Sequence, residues 1–441
     1  MEKLLRMALE GADQAEVFCH DSQSTELATR DGRVTSASSS ISSGVALRII
    51  RSGRMGFAYT KNLSDRAELV RNAQASLSGN VEAGYVFPGR AEMPPAPPFD
   101  DSVEKMGYRD ILEPALVIHR RLSGRVKAQV SANGGFGVSR IRILNSSGFD
   151  GSYSTSGWAV GGSIHYPGTE SAIGEHFLAR CRIDPDTALI DRLAGLFEKS
   201  LPEIEVKPGR MRVIFTPWTM YTLIWRLKAA TAGRAFHTKT TPLLESMGKK
   251  VLSEMFTLVD DPLDPASVSG ARPFDDEGVP CSRRVIFEKG VFKGIYNNLD
   301  YAARLGMEPT GNGTRGGGMM GGSDPVASLP GADMQALQIA PGDASFEEIV
   351  AGTERGLLLF GVLGAHSGNI VNGDFSVGAD PGLYIEKGRI VGRIKDGMLA
   401  GNAFEVLSRV SAVQSGPFNP SGFVRYPCVA CEDVSVTGRN R

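Results

Sequence analysis

The polar residues that could do chemistry are concentrated in one glycine-rich stretch towards the C-terminal end of the chain. Residues 364–378 place His366, Asn369 and Asp374 among glycines, which let a backbone approach a neighbouring strand or a ligand closely. Imidazole, amide and carboxylate groups held in this way fit either a binding cleft or the tightly crossed core of a barrel. The pattern alone slightly favours packing in a core.

A second group of ionisable side chains lies in the run Asp275-Asp276-Glu277, with Arg283 and Arg284 close behind it. Such a run could clamp a charged substrate. It is more often a solvated turn, and we expect a solvated turn here unless the surrounding strands close a cavity.

Metal and phosphate motifs are incomplete along the sequence. Cys428 and Cys431 have the spacing of half a zinc or redox site, but no second pair completes it. Residues three apart on a strand point to opposite faces, and so do the neighbours Glu175 and His176. His237 stands alone, which is typical of a structural histidine. The glycine-rich loops match neither the P-loop nor the dinucleotide fingerprint.

The composition is that of an ordinary globular protein. A length of 441 residues suggests two domains, and a net charge of -1 leaves no electrostatic case for binding nucleic acid or an anionic membrane. No apolar run approaches the roughly 18 to 20 residues that a membrane span requires. Five cysteines, an odd number, argue against a disulfide framework and for a reducing compartment. We therefore expect a cytoplasmic protein with no nucleic-acid partner and no membrane association.

The elements that must position the polar residues follow from turn signals. Asp31-Gly32 and Ser52-Gly53 predict two hairpins in the first half of the chain, and Lys387-Gly388 predicts a third beside the glycine-rich stretch. Together with several helical patterns these signals indicate an α+β fold. An N-terminal α/β domain of antiparallel sheet with helices would occupy residues 1–205, and a β-rich, barrel-like C-terminal domain would occupy residues 206–441.

One helix of the second half is clearly punctuated. It is predicted over residues 217–232, with Thr216 as its cap, Pro217 at its first position and Gly233 at its end. Residues 316–322, a run of glycine and methionine, predict a flexible tip.

Six short motifs follow one another along the second half: FDDEGVP at 274–280, TGN at 310–312, PGDASFEEI at 341–349, GDFS at 373–376, IEKG at 385–388 and AGN at 400–402. In this order they resemble the TldD/PmbA family, and most closely its PmbA (TldE) branch. Each motif is weak by itself, but the resemblance extends over nearly the whole chain.

The resemblance implies a cytosolic TldD and TldE heterodimer, a metallopeptidase that processes unfolded peptides such as microcin precursors and that was formerly labelled a modulator of DNA gyrase. In that family the zinc belongs to the TldD subunit, held by the histidines of an HExxxH helix and by a cysteine near the C terminus. The corresponding helix here is residues 217–232, where Ile224 and Ala229 stand in the histidine positions. Without imidazole ligands or a carboxylate base, this helix cannot generate a zinc hydroxide.

We therefore expect a non-catalytic, metal-free subunit without a cofactor of its own. Zinc is expected in a TldD-like partner, and this chain would close half of a chamber for unfolded peptides. An extended peptide could add to a free strand edge, which recognises backbone amides with little sequence preference. The residues expected to contact substrate or partner are His366, Asn369, Asp374, Glu277 and Arg315.

The alternative is a stand-alone or homodimeric enzyme, a hydrolase or a tailoring enzyme for peptides or natural products, with its own site. In that case His366, His237, Asp275 and Glu277 would converge on a metal or form a general acid/base pair. A third, weaker hypothesis is a pure interaction protein that acts as a regulator. A copurifying HExxxH-bearing partner would support the first hypothesis, whereas a homodimer containing a bound metal would support the alternative.

Overall fold

The fold is α+β, as the turn and helix signals predicted. The computed structural model describes residues 1–95, 99–268, 270–317, 323–416 and 426–438. Most of the predicted tip at 316–322 lies outside these described residues. Within the described residues, no helix is both long and apolar enough to cross a membrane.

The first half is built on one antiparallel sheet of seven strands. The strands are β1 (Gln14–Arg30), β2 (Arg33–Arg51), β3 (Arg54–Thr60), β4 (Val81–Glu82), β5 (Val130–Asn145), β6 (Asp150–His165) and β7 (Ala172–Ala179), in the order β4-β3-β2-β1-β5-β6-β7. Its helices are α1 (Glu2–Leu9), α2 (Arg66–Ser76), α3 (Arg109–Ser123) and α4 (Thr187–Lys199).

Two-residue turns set the register of the first three strands. Asp31 and Gly32 have φ values of 48° and 75°, and Ser52 and Gly53 have φ values of 49° and 70°. These left-handed values are the ones that a type I′ hairpin turn requires. Both hairpins predicted from the sequence are confirmed, and β1 and β2 are long strands of 17 and 19 residues.

One face of the seven-stranded sheet is covered by helices. At one end Val17 and Leu47 pack with the apolar side chains of α1 and α2. At the other end Val160 and Ile164 pack under α3 and α4. We call the opposite face, which carries Phe18 and Ala46, the loop face, because loops of the second half cover part of it.

The second half contains many short strands. Those before residue 350 are β8 (Glu203–Ile204), β9 (Gly209–Phe215), β10 (Leu258–Asp260), β11 (Arg284–Glu288), β12 (Val291–Phe292), β13 (Gly313–Thr314), β14 (Gly331–Ala332) and β15 (Leu337–Ile339). Those after it are β16 (Arg355–Leu359), β17 (Val362–Leu363), β18 (Asp374–Ala379), β19 (Gly382–Glu386), β20 (Arg389–Ile394), β21 (Met398–Asn402), β22 (Val410–Val413) and β23 (Val429–Thr437). The helices are α5 (Tyr221–Thr231), α6 (Gly233–His237), α7 (Leu299–Leu305), α8 (Phe346–Ala351) and α9 (Ala403–Ser408).

Ten of these strands form a sheet that curls into a half barrel. Its main path is β17-β18-β21-β23-β9-β16-β19-β20-β8, and β22 joins through β23. Helix α5 packs against the inner side, where Leu223 and Leu227 meet Phe375 and Val377. The predicted hairpin at Lys387-Gly388 is confirmed between β19 and β20.

The predicted start of the helix at 217–232 is wrong, whereas its predicted end differs by one residue from the observed end at Thr231. Helix α5 begins at Tyr221, with Met220 as its N-cap. The Thr216 hydroxyl does not cap the helix, because it donates to the Leu359 carbonyl on the neighbouring strand at 2.7 Å. Gly233 begins α6 instead of ending α5. The side chain of Thr216 therefore joins β9 to β16.

Candidate functional site

The helix that carries the metal ligands in the resembled family holds a buried arginine here. The Arg226 side chain donates to backbone carbonyls at four places: Asp374 at 2.8 Å, Thr222 at 2.7 Å, Ala365 at 2.9 Å and Ser367 at 2.8 Å. Burial lowers the pKa of Arg226 to about 10, so the side chain remains a cation at neutral pH. The carbonyl dipoles therefore stabilise a fixed positive charge on this helix.

The residues present on α5 do not fit a zinc ion. Ile224 is buried in the apolar core, and Ala229 offers no donor atom. Zinc needs imidazole, thiolate or carboxylate ligands, and a guanidinium cation repels it. Across the described parts of the chain, no three His, Cys, Asp or Glu side chains lie where they could hold a metal ion.

The glycine-rich stretch forms an exposed loop on the half barrel. His366, Asn369 and Asp374 are all exposed, so the interpretation that favoured core packing is wrong for these three residues. The Asn369 carbonyl accepts from the amide of Asp374 at 3.0 Å, and one Asp374 carboxylate oxygen accepts from the Asn402 side chain at 2.9 Å. Arg226 on α5 donates to three backbone carbonyls of this loop. The loop is therefore a solvent-facing surface that is hydrogen-bonded to α5 and to Asn402.

Glu277 and Arg315 lie elsewhere, inside the contact between the loop face of the first sheet and the loops of the second half. Arg315 and Arg48 each donate to a different oxygen of Glu16 at 2.8 Å. Arg48 also donates to Glu277 at 2.9 Å. All four side chains are buried, so the chain of alternating charges Arg315, Glu16, Arg48 and Glu277 is shielded from water.

The acidic run at 275–277 is therefore buried, and its interpretation as a solvated turn is wrong. The surrounding strands and loops do close over it, because Asp275 is fully buried and Asp276 and Glu277 nearly so. Asp275 accepts from the amides of Glu277, Val279 and Gly313. Burial and the neighbouring carboxylate of Glu277 nevertheless raise the pKa of Asp275 to about 7. The run ties loops of the second half together.

The five residues predicted to contact substrate or partner thus form two groups. His366, Asn369 and Asp374 share the exposed loop, whereas Glu277 and Arg315 share the buried charge chain. The four residues of the alternative enzyme hypothesis also divide. Asp275 and Glu277 lie together, while His237 ends α6 beside the ring of Tyr301.

The prediction that Cys428 and Cys431 point to opposite faces and pack in apolar surroundings is confirmed. Cys431 packs in the core around α5, and Cys428 packs in the core on the other side of the half-barrel sheet. Burial raises the pKa of Cys428 to about 12. The rings of His176 and Trp218 are in contact, with centroids 5.1 Å apart and planes tilted by 60°. Burial lowers the pKa of His176, which favours its neutral form.

A groove of about 780 Å³ lies on the loop face, next to the part that the second half covers, and Val268 and Gly270 of the second half border it. On this face lie the even-numbered residues of segments 22–28 and 36–38 and the odd-numbered residues of segments 133–139 and 155–161. These residues are paired across neighbouring strands. All of them are Gly, Ala, Ser, Thr or Asn except Glu26. We call this surface the small-residue groove. Side chains this short leave the strand backbones close to the surface, where an extended chain could lie against them.

Sequence reasoning did not assign a role to these residues. The signal that could have found them is a small residue at every second position within a strand, in place of the large side chain that a packed face needs. Most glycines and serines of residues 127–177 lie inside β5 and β6.

Comparison with known proteins gives matches over most of the chain. The family model described as "PmbA/TldA metallopeptidase C-terminal domain" matches residues 208–438, and "PmbA/TldA metallopeptidase domain 1" matches residues 15–77. A "Metalloprotease" of Methanothermobacter thermautotrophicus is 26% identical, and the match covers 91% of this chain and 88% of that protein.

Two solved structures share the fold over the full length of the chain. TldE from Thermococcus kodakarensis superposes with a TM-score of 0.87 at 26% identity, covering 99% of this chain and 100% of that one. A Thermotoga maritima structure superposes with a TM-score of 0.84 at 23% identity, covering 99% of both chains.

Proposed function

This chain belongs to the PmbA/TldD metallopeptidase family, and we propose that within it the chain is a metal-free, TldE-like subunit. It would pair with a zinc-bearing, TldD-like partner and form part of a chamber in which unfolded peptides are cleaved. Catalysis would belong to the partner, and this chain would bind and enclose the peptide.

The observation that carries the proposal is the chemistry of α5. The metal-binding helix of the family needs two imidazoles and a carboxylate, and this chain offers Ile224, Trp225 and Ala229 in their place. Directly after Trp225, Arg226 donates to four carbonyls of the helix and of the loop at 365–374. A positive charge that the fold itself stabilises at this helix makes a zinc-activated water there unfavourable.

Two surfaces support a role in enclosing a peptide. The small-residue groove is long and shallow and is lined mostly by backbone and short side chains, which suits a chain without a folded shape. The exposed loop with His366, Asn369 and Asp374 presents hydrogen-bonding groups on the half barrel. We propose that the groove contacts the peptide and that the loop contacts peptide or partner.

The test is coexpression with an HExxxH-bearing relative from the same source. We expect the two chains to copurify in equal amounts, zinc to be found only when the partner is present, and an unfolded peptide to be cleaved only by the pair. A matched control is the pair in which the partner's HExxxH histidines are replaced, which should assemble without zinc and without activity.

The opposite result would be cleavage by the purified chain alone in the presence of zinc, stopped by a chelator. That outcome would refute the proposal. A homodimer of this chain with a stoichiometric bound metal would support the alternative, a stand-alone enzyme with its own site.

A further inference from the structure

The outer edge of β2 is open over about half of the strand's length. Strand β3 pairs with β2 only from Val45 to Arg51, whereas β1 pairs with β2 from Arg33 to Ile50. In the described part of the chain no strand pairs with residues 33–43 on their outer side. Residues 33–41 are exposed throughout.

The hairpin register tells which backbone groups this edge presents. The residues that flank a two-residue turn, here Arg51 and Arg54, form a hydrogen-bonded pair, so the amide and carbonyl of Arg51 point towards β3 and away from β1. Backbone directions alternate along a strand, so every second residue before Arg51 also directs its amide and carbonyl away from β1. Past the end of β3 those residues are 43, 41, 39 and 37. Four residues therefore present a ladder of donors and acceptors to which an extended chain could add.

The same edge borders the small-residue groove. Ser36 and Ser38 of β2 line it, and Ser38 is paired with Glu26 of β1. Because the serine side chain is short, a long side chain on a strand added to β2 could cross Ser38 and reach Glu26. Glu26 is the only Asp, Glu, Lys or Arg among the described residues that line the groove. It forms no ion pair with any described residue.

We propose that an unfolded peptide binds here as an added strand on the edge of β2, and that a lysine or arginine side chain of that peptide pairs with Glu26. This inference rests on the proposed function and specifies its substrate class, an extended peptide segment with a basic residue. The backbone ladder supplies binding without sequence preference, and the lone carboxylate adds a preference for positive charge.

The test uses the chain copurified with its partner, in the presence of a chelator so that peptide is bound but not cleaved. Two fluorescein-labelled unfolded peptides are compared, identical except for a central lysine in one and glutamine in the other. We expect the lysine peptide to bind about two- to fivefold more tightly, the range of a solvent-accessible ion pair, and less so at high salt. E26Q should abolish this difference, E26K should reverse it, and E26D should retain part of it.

Two further variants test the edge and the groove. I41P removes an outward amide without breaking a bond to β1, so we expect weak binding of both peptides, while I41T, which keeps the amide, should bind normally. A Cβ at Gly157 would meet no atom within 4 Å, so G157F should fold and fill the groove. G209F is its matched control, because Gly209 is an equally open strand glycine outside the groove.

The outcomes separate the inference from the proposed function. If the wild-type pair binds both peptides equally, or if I41P and G157F bind as wild type does, the inference is wrong and the proposed function stands. If I41P loses the partner but keeps its affinity for peptide, the edge belongs to the subunit interface, and the inference is again wrong. If the wild-type pair binds neither peptide, the proposed function fails as well.

Discussion

Glu16 is the carboxylate on which two buried arginines depend, and its replacement by glutamine tests what holds the first sheet against the loops of the second half. The E16Q change keeps the shape of the side chain but removes the charge that Arg48 and Arg315 contact at 2.8 Å. All three side chains are buried, so the two guanidinium groups would stay away from water while less negative charge offset their positive charge.

The size of the effect follows from that burial. Removing one partner of a buried ion pair costs about 3–5 kcal/mol. Glutamine keeps one acceptor oxygen, and Arg48 keeps Glu277, so we expect a loss near the lower end, about 3 kcal/mol. With a urea m-value of roughly 3 kcal/mol/M, the unfolding midpoint should fall by about 1 M.

The assay is urea unfolding followed by tryptophan fluorescence and by far-ultraviolet circular dichroism, whose coincidence checks that a single transition is measured. The control is E2Q, because Glu2 also pairs with a distant arginine, Arg142 at 2.9 Å, but lies at the surface. We expect no change of midpoint for E2Q. Adding R315M to E16Q should cost less than the sum of the single changes, because both remove the same contact. A midpoint for E16Q that matches the midpoint for E2Q would refute this account of the interface.

Three other predictions concern the loop, the acidic run and the cysteines. R226M should speed amide hydrogen exchange at 365–374, because three carbonyls of that segment lose their donor. The control R355M, at an exposed arginine that bonds elsewhere, should not change this exchange. Equal exchange in both variants would contradict the prediction. The pKa of Asp275 is raised to about 7, from about 3.9 in an unfolded chain, so its contribution to stability should fall as pH rises between these values. D275N should therefore show a flatter dependence of the urea midpoint on pH from pH 5 to 7.5. An unchanged slope would refute this assignment. In the native protein a thiol reagent at pH 8 should modify at most Cys19 and Cys181, because the other three cysteines are buried; labelling of more than two would show that the core opens.

The hairpins could be predicted from the sequence because their signals are local. Asp31-Gly32, Ser52-Gly53 and Lys387-Gly388 each have glycine, which tolerates positive φ, at the second position, and the structure gives left-handed values at all six residues. No distant contact is needed to select such a turn. That α5 contains no histidine, cysteine or carboxylate could likewise be seen in the sequence, because it depends on residue types alone.

The state of the acidic run could not be predicted in the same way. Glu277 is buried because Arg48 reaches it from a strand 229 positions earlier, and Glu16 and Arg315 complete the compensation from still more distant segments. A local pattern of three acids contains no information about such partners, so the ordinary expectation of a solvated turn failed. The choice between core and surface for His366 failed for a related reason, since it depends on whether a further element covers that edge of the half barrel.

The groove could be predicted from the sequence only in part. Small residues at alternate positions are visible in the sequence, but they would serve equally well under a closely packed helix, as Gly134 and Gly162 do under α3. Which of the two faces receives the helices is decided by the packing of α3 and α4, far from the strands' own pattern. Local alternation therefore indicates a special surface without saying that it stays open.

Strand β1 carries both the buried charge at Glu16 and the exposed one at Glu26, and the register between them runs without interruption. Side chains on a strand alternate, so one residue inserted or deleted between these two positions would turn every side chain on one side of the change to the other face. Leu27 would then enter the groove and Glu26 would be driven under α3. Length changes of an odd number at 19–23 should therefore be as damaging as a core mutation, even though several of those side chains are only partly buried.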